Sequence, residues 1–95
     1  MTSPVVRFRL YIAGDAPHSQ RATANLYSFC EAYFPERYEI EIVDLFVEPE
    51  RALADMVLLT PTLAIVAPPP LRSIVGDLGE TSVLLHTLAA ELRPR

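Results

Sequence analysis

Between Val5 and Ala13 the chain alternates at period two, with Val6, Phe8, Leu10 and Ile12 on one face and Arg7, Arg9 and Tyr11 on the other. Successive strand side chains point to opposite faces, so this pattern predicts a strand buried on one side. Gly14-Asp15-Ala16-Pro17 supplies turn residues, and Pro17 suits the first turn of a helix, where its missing N–H is not needed. Ala22, Leu26, Phe29, Cys30 and Tyr33 then recur at helical spacing until Pro35. Asp15 and Ser19 are the candidates to cap that helix. Tyr38 to Val43 alternates again, with Glu39 and Glu41 outward, so strand, helix and strand read as a βαβ unit with parallel strands.

The second half is less regular. Pro49 fits another helix start, and residues 50–58 predict a short helix carrying Leu53, Met56 and Val57. Thr60-Pro61 ends it, and residues 62–67 form an apolar strand. Pro68-Pro69-Pro70 is a turn that cannot donate to any ladder. Residues 72–75 predict a fourth strand and residues 76–79 a loop. Residues 80–92 close as a helix with Leu84, Leu85, Leu88 and Leu92 on one side. The order βαβαββα, in one domain over residues 1–95, is that of an α/β thioredoxin-like fold. Such folds carry a cis-proline before the third strand, where Pro61 stands, and an X–Pro bond loses most of the trans preference.

Composition narrows the function. The net charge is −4 and none of the basic residues is lysine, which argues against nucleic acid, whose affinity rests on clustered cations. The apolar runs are far below the ~18 residues of a membrane span, and Arg7 and Arg9 interrupt the only N-terminal one, so no membrane partner and a cytoplasmic location are expected. A hydrophobic fraction of 51% in so small a domain favours an exposed apolar patch and a partner, which makes oligomerisation the expectation.

Catalytic chemistry is not in view. Cys30 is the only cysteine, and the first strand–helix junction, where redox-active thioredoxin-like proteins keep their cysteine pair, has none. Thiol–disulfide exchange needs a thiolate, so that position cannot perform it. Cys30 itself reads as a buried core thiol. His18 and His86 read as surface residues without partners at metal spacing. Glu48, Glu50 and Asp55 form a loose acidic group, either a solvated face or a docking edge for a basic partner. Asp77 reads as a turn-forming side chain. No cofactor or metal is expected.

One resemblance is specific. Leu10-Tyr11-Ile12-Ala13-Gly14-Asp15-Ala16-Pro17-His18-Ser19-Gln20-Arg21-Ala22 is similar to the opening motif of the KaiB family. Glu41-Ile42-Val43-Asp44-Leu45 and Leu59-Thr60-Pro61-Thr62-Leu63 resemble its next two blocks. Pro68-Pro69-Pro70-Leu71-Arg72-Ser73-Ile74-Val75-Gly76-Asp77-Leu78 resembles its proline-rich signature. The resemblance implies a non-catalytic regulator that binds the ring-shaped ATPase KaiC and, in that complex, sequesters KaiA, in circadian timing or a related signalling or stress pathway. It also implies a homo-oligomer, dimer or tetramer, and a metamorphic chain whose C-terminal half has an alternative βαββααβ ground-state topology.

The family-motif and switch residues are then Tyr11, Gly14, Pro61, Pro68, Pro69, Pro70, Arg72, Gly76 and Asp77. The partner surface is the start of the first helix and the Glu48–Asp55 region, with Arg21, Glu48 and Asp55 as its contacts. Residues 53–92 have an apolar pattern ambiguous between helix and strand, compatible with two packings. The family's last helix carries a glycine, an acidic residue and an aromatic where this chain has Thr87, Ala89 and Leu92. Two alternatives share the fold class. One is the sensor domain of a SasA-type histidine kinase, and the other a glutathione- or peptide-binding thioredoxin-like protein using Pro61, with Ser19 as its only nearby hydroxyl.

Overall fold

In the computed structural model, which describes residues 5–92, the elements are β1 (Val6–Ile12), α1 (Pro17–Tyr33), β2 (Tyr38–Asp44), α2 (Glu50–Ala54), β3 (Thr62–Ala67), β4 (Arg72–Val75), α3 (Thr81–Thr87) and α4 (Ala89–Leu92). They build one four-stranded sheet in the order β2-β1-β3-β4. β1 and β2 run parallel, Val6 facing Tyr38 and Ile12 facing Asp44, as the βαβ reading requires. β3 is antiparallel to β1, and β4 to β3. This is the thioredoxin-like arrangement that the element order predicts.

The alternation in β1 sends Val6, Phe8 and Leu10 into the main core, where Leu63 and Ile65 of β3 join them. Ala22, Leu26, Phe29 and Cys30 of α1 cover that face, together with Leu84 and Leu88 from the C-terminal segment. Each large apolar side chain so buried contributes about 1.5–3 kcal/mol. α1 ends where the Phe34 N–H bonds the Cys30 carbonyl at 2.7 Å, and Pro35 stops further winding. Phe34 itself is fully buried, its ring 6.5 Å from Phe8 and 6.1 Å from Phe29 between centroids.

Four expectations are corrected. Tyr11, placed with the arginines on the polar face of β1, is buried in a second small cluster with Val43 and Ala64, against Val57. The crossover between β2 and β3 supplies that cover. The helix predicted over residues 50–58 stops at Ala54, because Met56 takes a left-handed φ of +57° and the Val57 N–H turns back to the Ala52 carbonyl at 2.8 Å. α2 consequently buries no residue.

The helix predicted over residues 80–92 is divided at Leu88. The Thr87 carbonyl accepts from Arg72 Nη1 at 2.8 Å, while the Glu91 N–H bonds Leu88 instead. Neither Asp15 nor Ser19 caps α1. Ala16 occupies the N-cap position without a side-chain bond, and buried Ser19 accepts the Ala13 N–H at 3.1 Å, tying the helix start to the end of β1.

Candidate functional site

The residues singled out in the sequence separate into three groups on this frame. At the carboxyl end of β1, Gly14 (φ +55°) donates its N–H to Asp44 Oδ1 at 3.0 Å, and the same oxygen accepts the Phe46 N–H at 2.9 Å. The φ of +55° favours glycine here, and a Cβ on Gly14 would lie 2.8 Å from the ring of the exposed Phe46, which would have to swing aside. At the same end the Gly76 N–H bonds the carbonyl of buried Pro61 at 2.9 Å. Asp77 closes its own turn by accepting the Gly79 N–H at 2.9 Å, and its other oxygen accepts from Arg21 Nε at 3.2 Å. The Gly79 N–H first and Arg21 second hold the Asp77 carboxyl below its ordinary value. Arg21 and Asp77, assigned to different roles from the sequence, are therefore direct partners.

Pro68, Pro69, Pro70 and Arg72 stand at the opposite end of the sheet. The peptide bonds preceding Pro61, Pro68 and Pro70 are cis. Pro69 and Pro70 are exposed, whereas the Arg72 side chain turns inward toward α3 and α4.

The third group lies on the outer face, away from α1. Tyr11 Oη donates to Asp55 Oδ2 at 2.6 Å, and Arg51 Nε donates to the same oxygen at 3.3 Å. Arg51 also reaches Glu48 at 3.5 Å and Glu41 at 3.6 Å, and Glu41 pairs with Arg9 at 2.7 Å. The Tyr11 hydroxyl first, then Arg51, holds Asp55 below the ordinary carboxylate value, while burial and then Asp55 raise Tyr11. Glu48 and Asp55 are thus occupied within the molecule, and Glu50 is left exposed. Arg51, which organises them, was not singled out from the sequence. Its i,i+3 and i,i+4 spacing from the two acids was the available signal.

Beside this network the shortened α2 leaves a groove of about 660 Å³. Its base is Tyr11, Thr62 and Ala64, and its rim is apolar and exposed: Met56, Leu58 and Leu59 on one side, Leu71 and Val75 on the other. Leu58 is 93% exposed and Met56 83%, values at which isolated side chains gain nothing from folding. Apolar residues gathered this way mark an interaction surface. The predicted helix over residues 50–58 concealed it from the sequence reading.

Reactive groups are otherwise withdrawn. Cys30 is fully buried, and burial first, with Glu31 second, pushes its thiol up to about 12. A thiol at that value is almost wholly protonated at neutral pH and a poor nucleophile. We expect Ellman's reagent to label the native protein far more slowly than the same protein in guanidinium, where the thiol is free; equal rates would contradict this burial. The Ser19 hydroxyl, 1% exposed and bonded to Ala13, is not presented to a peptide or glutathione. Among the described residues, no three His, Cys, Asp or Glu side chains are grouped to hold a metal ion. No described helix is long and apolar enough to cross a membrane.

The fold and the site together define a thioredoxin-like domain whose redox position lacks a cysteine pair and whose outer face carries, beside a network of paired charges, a groove with an exposed apolar rim. A solved structure of the N-terminal domain of SasA from Synechococcus elongatus shares the fold with a TM-score of 0.76 at 12% identity, covering 100% of this chain and 92% of that one. Mitochondrial thioredoxin 3 from Saccharomyces cerevisiae shares it at 0.71 and 16% identity, over 92% and 79% of the two chains. A family model described as the KaiB domain matches residues 9–90. The circadian clock protein KaiB3 of a Synechocystis species is 42% identical over 77 residues, 81% of this chain and 76% of that protein. The circadian clock oscillator protein KaiB of Microcystis aeruginosa is 40% identical over 90 residues, 92% and 86% of the respective chains. The chain belongs to the KaiB family.

Proposed function

We propose that this protein is a non-catalytic regulator of the KaiB clock type that docks, through its outer-face groove, onto a KaiC-type ATPase ring. The observation that carries the reading is the uncovered apolar rim of Met56, Leu58, Leu59, Leu71 and Val75. A central apolar patch with a polar border of paired charges, here Arg9–Glu41 and Arg51–Asp55, is the usual anatomy of a binding surface. Membership of the KaiB family and clock-protein relatives at about 40% identity support this reading of the partner. Further partners under this proposal are a KaiA-like protein and a histidine kinase of the SasA type. The two packings implied by the family belong to the same proposal: one arrangement of residues 53–92 would present the groove and the other withdraw it.

Size-exclusion of the protein mixed with a purified KaiC-type ATPase, in ATP and in ADP, tests it. A stable complex is expected, and the double substitution Met56→Asp with Leu59→Asp should weaken it at least tenfold, since truncated anchors typically lose more than ~1.4 kcal/mol. Both residues are exposed, so the thermal melt should be unchanged. Independent migration at every nucleotide ratio sinks the proposal.

A further inference from the structure

The sheet ends at β2 on one side and at β4 on the other, and the two edges are defended differently. β2 carries Glu39 and Glu41, exposed carboxylates paired with Arg7 and Arg9 of β1. Charges along an edge discourage a further strand from adding to it. β4 has no such guard. Its exposed side chains are Ser73 and Val75, and its one charged residue, Arg72, turns inward to the Thr87 carbonyl and Glu91. One bond orients its backbone. The Gly76 N–H meets the Pro61 carbonyl at 2.9 Å, so Gly76 faces β3, and Ile74 and Arg72 face it by the period of two. The N–H and C=O groups of Ser73 and Val75 therefore point away from the sheet, and among the described residues β4 pairs with β3 alone. Such a row is a template for an extended chain.

Two hollows flank this edge. On the outer face the groove reaches Leu71, Ser73 and Val75. Toward α3 a second cavity of about 300 Å³ is lined by Ile74, Val75, Glu80 and Val83. Val75, common to both, is 58% exposed, and Val83 is 41% exposed. A strand added beside β4 would send alternate side chains to the two faces, one set to each hollow. The wall formed by Leu71 and Val75 suits an apolar side chain. The second cavity joins apolar walls to the exposed Glu80 carboxylate and to Asp77, which Arg21 already holds. An arginine or lysine fits it, with the stem over Val83 and the charge at Glu80.

We infer that the free edge of β4 accepts an extended segment of a partner protein as an added strand, one in which apolar residues alternate with arginine or lysine. The segment shares one wall with the groove proposed for KaiC docking, but the inference does not require KaiC to be its source. Backbone bonds to Ser73 and Val75 supply affinity that is indifferent to sequence, and the two hollows select the side chains. The net charge of −4 favours approach of a basic segment in the same sense. β4 is four residues long, so the paired stretch is short.

Titration of the full chain with the peptide acetyl-Val-Arg-Val-Arg-Val-Arg-Val-amide, followed by amide NMR and hydrogen exchange, tests the edge. One-to-one binding is expected, with exchange at the Ser73 and Val75 amides slowed about tenfold and the β2 amides unchanged. Glutamate in place of the peptide's arginines should weaken binding about tenfold. Methylating the backbone nitrogens of one alternate set, valines or arginines, should do the same, and methylating the other set should not, since only one set faces β4. Glu80→Arg should reverse the preference between the arginine and glutamate peptides. Glu80 is exposed and makes no side-chain cap bond to α3, so the thermal melt should stay unchanged. Failure of the arginine peptide to bind, indifference to both methylations, or protection at β2 instead overturns the inference. So does protection of Ser73 and Val75 in the protein alone that grows with its concentration, which would put a second copy of the chain at this edge.

Discussion

Phe34→Ala lowers the unfolding free energy by about 3–5 kcal/mol in a urea titration, the range for a buried aromatic cut back to a methyl group. Phe34 sits at the joint between α1 and β2 and is fully buried. Its ring meets Phe8 of β1 and Phe29 of α1, and the Arg37 guanidinium lies over it at 5.2 Å. Removing it withdraws apolar area from three directions and leaves a cavity. The backbone there is poorly able to collapse, since Pro35 follows directly and Glu36 is held at φ +60°. A domain of this size holds about 5–15 kcal/mol in total, so the variant is left marginal. Tyr33→Ala, one residue earlier but 40% exposed, serves as the comparison and should lose clearly less. Equal losses at the two positions would show that the cavity at residue 34 refills.

Gly76→Ala should cost about 1–3 kcal/mol for a reason unrelated to packing. Nothing lies within 4 Å of the place its Cβ would occupy, so no neighbour is displaced. The penalty is in the backbone: at φ +124° an L side chain meets its own peptide groups, and glycine alone is comfortable. Relaxing that torsion would break the bond from the Gly76 N–H to the Pro61 carbonyl, and with it the link between two of the family's signature loops. D-Alanine at position 76, introduced by chemical ligation, separates the two explanations. Its mirrored preference suits a positive φ, so it should restore the stability that L-alanine removes. If both enantiomers destabilise equally, the cause is a contact and not the torsion.

The legible parts of this protein are those whose signal is local. β1, β2, β3 and α1 were predicted within a residue or two, because the side-chain period of a strand or helix is written in adjacent positions. Tyr11 shows where that stops: alternation put it correctly opposite Phe8 and Leu10, but whether that face meets water depends on Val43, Val57 and Ala64. Apolar spacing predicts α2 and the last helix longer than they are, because it persists through Met56 and Leu88 while the helical backbone does not. The site residues fared similarly. Gly14, Pro61, Gly76 and Asp77 were singled out as motif, yet the motif did not state that Pro61 and Gly76 are bonded or that Arg21 is the partner of Asp77.

From the sequence alone came the element order, the buried faces of β1 and α1, the lack of a thiol pair at the redox position, and a likeness to one family. Each follows from residue identity at neighbouring positions. Tertiary structure alone settled the pairs that join distant residues: Tyr11 with Asp55 across 44 positions, Arg21 with Asp77 across 56, and Arg72 with Glu91 across 19. It also ended α3, by giving the Thr87 carbonyl a donor from β4, and opened the outer groove, by stopping α2 at Ala54. A helix continues while its carbonyls find the N–H four residues on, and an apolar surface stays exposed while nothing packs on it. Both conditions are met or broken by groups far away in the chain, which no local pattern records.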